Sequence, residues 1–93
     1  MRAVRATVSG FVHGVGFRWT AARRAERSGV AGWVRNEPDG TVRVWAQGEE
    51  EAVAAFLDFL RMGPPGARVA AVEVEEAEPD ETLRGFAIAQ GRG

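Results

Sequence analysis

Two short stretches of this chain carry residue types suited to a phosphate-sized anion. Residues 10–18 read Gly-Phe-Val-His-Gly-Val-Gly-Phe-Arg, and residues 32–42 read Gly-Trp-Val-Arg-Asn-Glu-Pro-Asp-Gly-Thr-Val. In the first, Gly14 and Gly16 permit backbone angles that let successive N–H groups curl into an anion-binding nest. A helix starting after them would add the positive end of its dipole. Arg18 contributes a planar, permanently charged fork that matches phosphate oxygens. Taken alone, the same features describe a tight turn followed by a surface arginine. Neither a Walker Gly-Lys-Ser/Thr nor a dinucleotide fingerprint is present. The second stretch holds Asn36, the only asparagine in the chain. Its neutral amide can position water but cannot serve as a base at neutral pH.

The elements that must place these residues follow from periodicity. Residues 3–9 predict a strand on Val4, Thr7 and Val8, and residues 10–16 a loop. Residues 17–28 predict a helix with Phe17, Ala21, Ala25 and Ser28 inward and Arg23, Arg24, Glu26 and Arg27 outward. Residues 30–35 and 41–47 form a hairpin about a Glu37-Pro38-Asp39-Gly40 turn. The second helix opens with Glu49, Glu50 and Glu51, where carboxylates suit the dipole. Its apolar stripe is Val53, Phe56, Leu57 and Leu60, and Gly63-Pro64-Pro65-Gly66 stops it. Residues 69–76 predict a fourth strand and residues 85–90 a short fifth, built on Phe86 and Ile88. Residues 90–93 read as a loose tail.

This order gives an α+β fold: a ferredoxin-like βαββαβ sandwich, two helices on one face of an antiparallel-rich sheet, with a short extra C-terminal strand. Strands one and two then run parallel with strand three between them. Their C-terminal ends open on one sheet edge, so the 10–18 loop faces the strand end at Asn36 across about 10 Å, two strand spacings.

Ninety-three residues form one domain, expected to span 1–93. The absence of cysteine excludes disulfides and thiolate chemistry, and a single histidine makes no conventional metal cluster. No metal and no cofactor are expected. No apolar run reaches membrane-spanning length, and the start is unlike a signal peptide, so the expected location is cytoplasmic. Net charge is −1, with eight Arg against three acids in residues 1–48 and four Arg against ten acids afterwards. Residues 41–47 lack the aromatic pattern of an RNA-binding sheet, so no nucleic-acid partner is expected. Monomer is the default.

The first stretch resembles the acylphosphatase phosphate loop, Gly-x-Val-Gln-Gly-Val-x-Phe-Arg, departing only at His13. The second resembles that family's Gly-Trp/Tyr-Val-x-Asn-x-x-x-Gly-x-Val segment throughout. The resemblance covers nearly the whole chain. It implies an enzyme that hydrolyses acyl phosphates to a carboxylate and inorganic phosphate without a metal. It also implies that Arg18 and Asn36 are catalytic, and that His13, Gly14, Val15, Gly16, Phe17 and Arg18 bind phosphate. His13, standing where the family has Gln, is expected to buttress the loop or point outward rather than act as a base. Glu37 is another departure, standing where many relatives carry Thr; a carboxylate there is unfavourable beside a phosphate unless it points away, so affinity or pH optimum is expected to differ. Thr41 is expected to support Asn36 or serve as an ordinary strand residue, and Trp33 and Trp45 to be core or sheet-face aromatics. Glu73, Glu75, Glu76 and Glu78 are expected to form an acidic, solvated edge. The competing reading is a non-catalytic ferredoxin-like module that binds a small phosphate-bearing ligand through the same loop.

Overall fold

Val4, Ala6 and Val8 alternate with Arg5, Thr7 and Ser9, so β1 (Arg2–Phe11) buries one set and turns the other to the opposite face of its sheet. The computed structural model describes residues 1–89. The expected tail at 90–93 lies outside the described residues. After β1 come α1 (Phe17–Ser28), β2 (Ala31–Asn36), β3 (Val42–Gly48), α2 (Glu50–Met62), β4 (Arg68–Ala77) and β5 (Phe86–Ile88). The sheet order is β4-β1-β3-β2-β5. All pairs are antiparallel except β2–β5, which is parallel. As expected, β3 lies between parallel β1 and β2.

The helices cover one face. Val53, Phe56, Leu57 and Leu60 are buried as their spacing predicts, and Phe59 joins them. The Phe59 ring centroid lies 6.4 Å from that of Phe17 on α1, and Phe56 meets Phe86 of β5 edge-on at 5.6 Å. On α1 the inner face is Phe17, Ala21, Ala22 and Ala25. Ser28, expected inward, is exposed. The helix ends there: the Val30 N–H turns back to Ala25 O at 2.9 Å, and Val30 buries its side chain as the hydrophobic partner of that stop. That return bond also explains why β2 starts at Ala31, one residue later than predicted.

Other strand boundaries shift as well: β3 and β4 differ from expectation by one residue at each end, and the larger changes are in β1 and β5. β1 runs on to Phe11, because its ladder with β4 resumes past an irregularity at Ser9/Gly10 and pairs Phe11 with Arg68. β5 is shorter than predicted: it covers three residues, flanked by bonds from Gly32 N–H to Gly85 O (3.0 Å) and from Ala89 N–H to Val34 O (2.8 Å).

On the uncovered sheet face, half-buried Trp33 and Trp45 sit opposite each other in register, which makes them sheet-face aromatics. The Trp45 indole N–H donates to Gln47 Oε1. Gln47 is only 5% exposed. Its amide grips the main chain of the β4–β5 connection, accepting from Asp80 N–H and donating to Asp80 O, both at 2.8 Å. At the β4 edge, Glu73, Glu75, Glu76 and Glu78 are all exposed. Arg2 donates two hydrogen bonds to Glu76, and Arg5 lies 3.8 Å from Glu75.

Candidate active site

The segment between β1 and α1 holds its shape through its glycines. Gly14 and Gly16 adopt φ of 73° and 75°, left-handed angles that cost other residues strain. A Cβ at either would meet nothing within 4 Å, so the requirement there is conformational rather than spatial. Gly16 is also the N-cap of α1. It offers no side chain to the first-turn amides, and that first turn contains no acidic residue. The positive end of α1 thus has no carboxylate from its own first turn to satisfy it.

Arg18 lies in that first turn and is half-buried. Among the described residues, no carboxylate lies within ion-pair distance of it. Asn36 ends β2. Sheet alternation places it on the same face as Val34, which is fully buried beneath the helices. The Asn36 Oδ1 is buried and has no hydrogen-bond partner among the described residues. An orphaned acceptor of this kind costs about 1–3 kcal/mol and is kept where function needs it.

These residues meet. A pocket of about 190 Å³ is lined by Val12, Gly14, Gly16, Phe17, Arg18, Trp19, Asn36 and Ile88. Of the residues expected to bind phosphate, Gly14, Gly16, Phe17 and Arg18 line it, and so does Asn36. His13 and Val15 do not. Val15 packs against the core instead. The His13 ring reaches across to the start of β3, its Nε2 2.9 Å from Thr41 O. A carbonyl only accepts, so that nitrogen carries the hydrogen. The ring buttresses the loop, one of the two roles expected for it.

Thr41 does not support Asn36. Its N–H and its hydroxyl both donate to Asp39 Oδ1, at 2.9 and 2.7 Å, which closes the hairpin turn. The hydroxyl bond is the main reason the Asp39 carboxyl titrates below its ordinary range, with the backbone bond second. Glu37 turns away from the pocket and pairs with Arg35, whose guanidinium also stacks over Trp33 at 4.7 Å. A negative charge one residue from Asn36 is thereby neutralised by an arginine at the end of β2.

Trp19 and Ile88 were not foreseen as pocket residues. Trp19 follows Arg18 directly, so a helix starting at residue 17 gave the signal for it. Ile88 had none, because nothing in the sequence says that β5 pairs parallel to β2.

The chain is similar to acylphosphatases along most of its length. The acylphosphatase family model matches residues 4–88. An acylphosphatase of Thermococcus kodakarensis is 50% identical over 90 residues, covering 95% of this chain and 98% of that protein. One from Nocardioides sp. is 51% identical over 86 residues, covering 92% of this chain and 86% of the other. The crystal structure of the Bacillus subtilis acylphosphatase superposes with a TM-score of 0.91 at 36% identity, covering 96% of this chain and 99% of that one.

Proposed function

This chain belongs to the acylphosphatase family, and on that premise we propose how its residues divide the hydrolysis of an acyl phosphate into a carboxylate and inorganic phosphate. The loop amides at Gly14, Gly16 and Phe17, the start of α1 and the Arg18 guanidinium bind the phosphoryl oxygens. The Asn36 side-chain amide orients the attacking water. The carrying observation is that Gly14, Gly16, Arg18 and Asn36, from two separate parts of the chain, line one pocket that no carboxylate enters.

The chemistry asks little more of the protein. Phosphoryl transfer is accelerated mainly by positioning and by stabilising charge on the equatorial oxygens. Water attacks phosphorus, the bond between phosphorus and the carboxylate oxygen breaks, and the carboxylate leaves with the electron pair. A carboxylate is a good leaving group, so no strong general acid is required. Asn36 cannot take the water's proton, which passes to a phosphate oxygen or to solvent. The orphaned Asn36 Oδ1 supports this role, since it belongs to an amide whose hydrogen bonding is incomplete in the protein alone.

Metal independence is part of the proposal. What supports it is the donor set: the pocket lining contains no carboxylate or thiol, and the only imidazole is bonded to Thr41 O. We also propose a single domain over residues 1–93, working as a monomer in the cytoplasm and needing neither nucleic acid nor membrane. One contiguous core and a cysteine-free chain support that reading. No helix among the described residues is long and apolar enough to cross a membrane.

The test is benzoyl phosphate hydrolysis with and without a chelator. Asn36→Ala should lose about 10²- to 10³-fold in kcat, as when one transition-state donor is removed, while inorganic phosphate still inhibits it. Full activity in Asn36→Ala would refute the water-positioning role, and chelator inhibition would refute metal independence.

A further inference from the structure

The pocket is two-sided in a way that phosphate binding does not require. Gly14, Gly16, Arg18 and Asn36 make a polar part, while Trp19 and Ile88 add apolar surface beside it. Trp19 is 60% exposed and Ile88 46%. Among the described residues five large apolar side chains stand exposed, and two of them line this one pocket. Apolar area left in water stabilises nothing until a partner covers it. The substrate of this site has two halves, and only one of them is an anion.

Both side chains are held in place. Trp19 sits in the first turn of α1, next to Arg18. The guanidinium of Arg23, one turn further on, lies 4.7 Å from the Trp19 ring and braces it. Ile88 is opposite Val34 in the parallel β2–β5 register, two residues before Asn36, and the Ala89 N–H to Val34 O bond fixes that register. Side chains two apart on a strand share a face, so Ile88 stands beside the strand end that carries Asn36. An aromatic side chain and a branched aliphatic one thus flank the polar part of the pocket.

We propose that Trp19 and Ile88 form an acyl-group subsite that selects acyl phosphates with an aromatic acyl group over the acetyl compound. The inference rests on the assignment of the polar part to the phosphoryl group. An aromatic ring covers the Trp19 and Ile88 surfaces, whereas a methyl group is too small to do so. The acyl group keeps these contacts while the bond to phosphorus breaks, so they bind ground state and transition state alike. Their effect belongs in KM rather than kcat.

The test compares benzoyl phosphate with acetyl phosphate in wild type, Trp19→Ala, Trp19→Phe and Ile88→Ser. In Trp19→Ala the benzoyl-to-acetyl ratio of kcat/KM should fall about tenfold, mostly through the benzoyl KM, as expected for loss of an apolar pocket wall. Trp19→Phe should keep most of the preference, and Ile88→Ser should lose part of it. An unchanged ratio in Trp19→Ala, or an equal fall for both substrates, would overturn the subsite and leave the phosphate assignment standing. Cleavage of neither substrate by the wild type would overturn that assignment and the subsite with it.

Discussion

At the residue scale, the meeting of Arg18 and Asn36 in one pocket was legible, because the order of elements puts the loop after β1 and the end of β2 on one sheet edge. Their surroundings were not legible. That Thr41 serves Asp39 and not Asn36, and that Glu37 pairs with Arg35, depends on rotamers that no spacing encodes. The buttressing role of His13 predicts that His13→Gln, which keeps an N–H donor for Thr41 O, changes kcat/KM by no more than about threefold, within ordinary surface-mutation energies. A hundredfold loss would make the ring a proton carrier. Arg18→Lys keeps the charge but loses the planar fork. It should raise the inhibition constant of inorganic phosphate by about tenfold or more, the worth of one charge-assisted hydrogen bond.

At the element scale, both helices lie where their apolar periodicity and stop residues placed them. The strands drifted by a residue or two because ladders end where partners end, and partners are set by tertiary structure. The parallel β5 and the Gln47 grip on Asp80 are long-range facts of this kind. Gln47 makes three hydrogen bonds from a nearly closed position. Gln47→Leu leaves the Asp80 main chain without these partners and should lower unfolding free energy by about 1–3 kcal/mol in urea titrations. An unaltered midpoint would show that the β4–β5 connection holds without it. Gly32 marks a second constraint. It lies at φ 150° in β2, where a Cβ would collide with the Trp45 carbonyl oxygen. Gly32→Ala must therefore push β2 from β3 and shift Asn36 with it, so activity should fall together with thermal stability.

At the scale of the whole molecule, chain length and apolar patterning were enough to anticipate one core under two helices, while the charge asymmetry resolves into an acidic β4 edge whose acids partly face arginines of β1. The Glu76 carboxyl is held below its ordinary range first by the Arg2 hydrogen bonds, and that of Asp80 by the Thr82 hydroxyl. Lowered carboxyl values contribute stability above the unfolded value, near pH 4, and lose it as pH falls through the folded value. These sites predict a urea midpoint that is level from about pH 5 upward and declines below about pH 4. A smaller decline in Asp39→Asn/Asp80→Asn would trace part of it to those turns. The central position of β1 has a consequence in time. β1 pairs with β3 and with β4, and the Arg2–Glu76 contact bridges 74 positions of sequence. Closing such distant pairs dominates the folding barrier in sheet-rich chains. The loop that precedes α1 leaves directly from the end of β1 and meets the end of β2 in the pocket, so this pocket is expected to be among the last features to assemble. Phosphate added during stopped-flow experiments should then leave the refolding rate unchanged and act wholly by slowing unfolding.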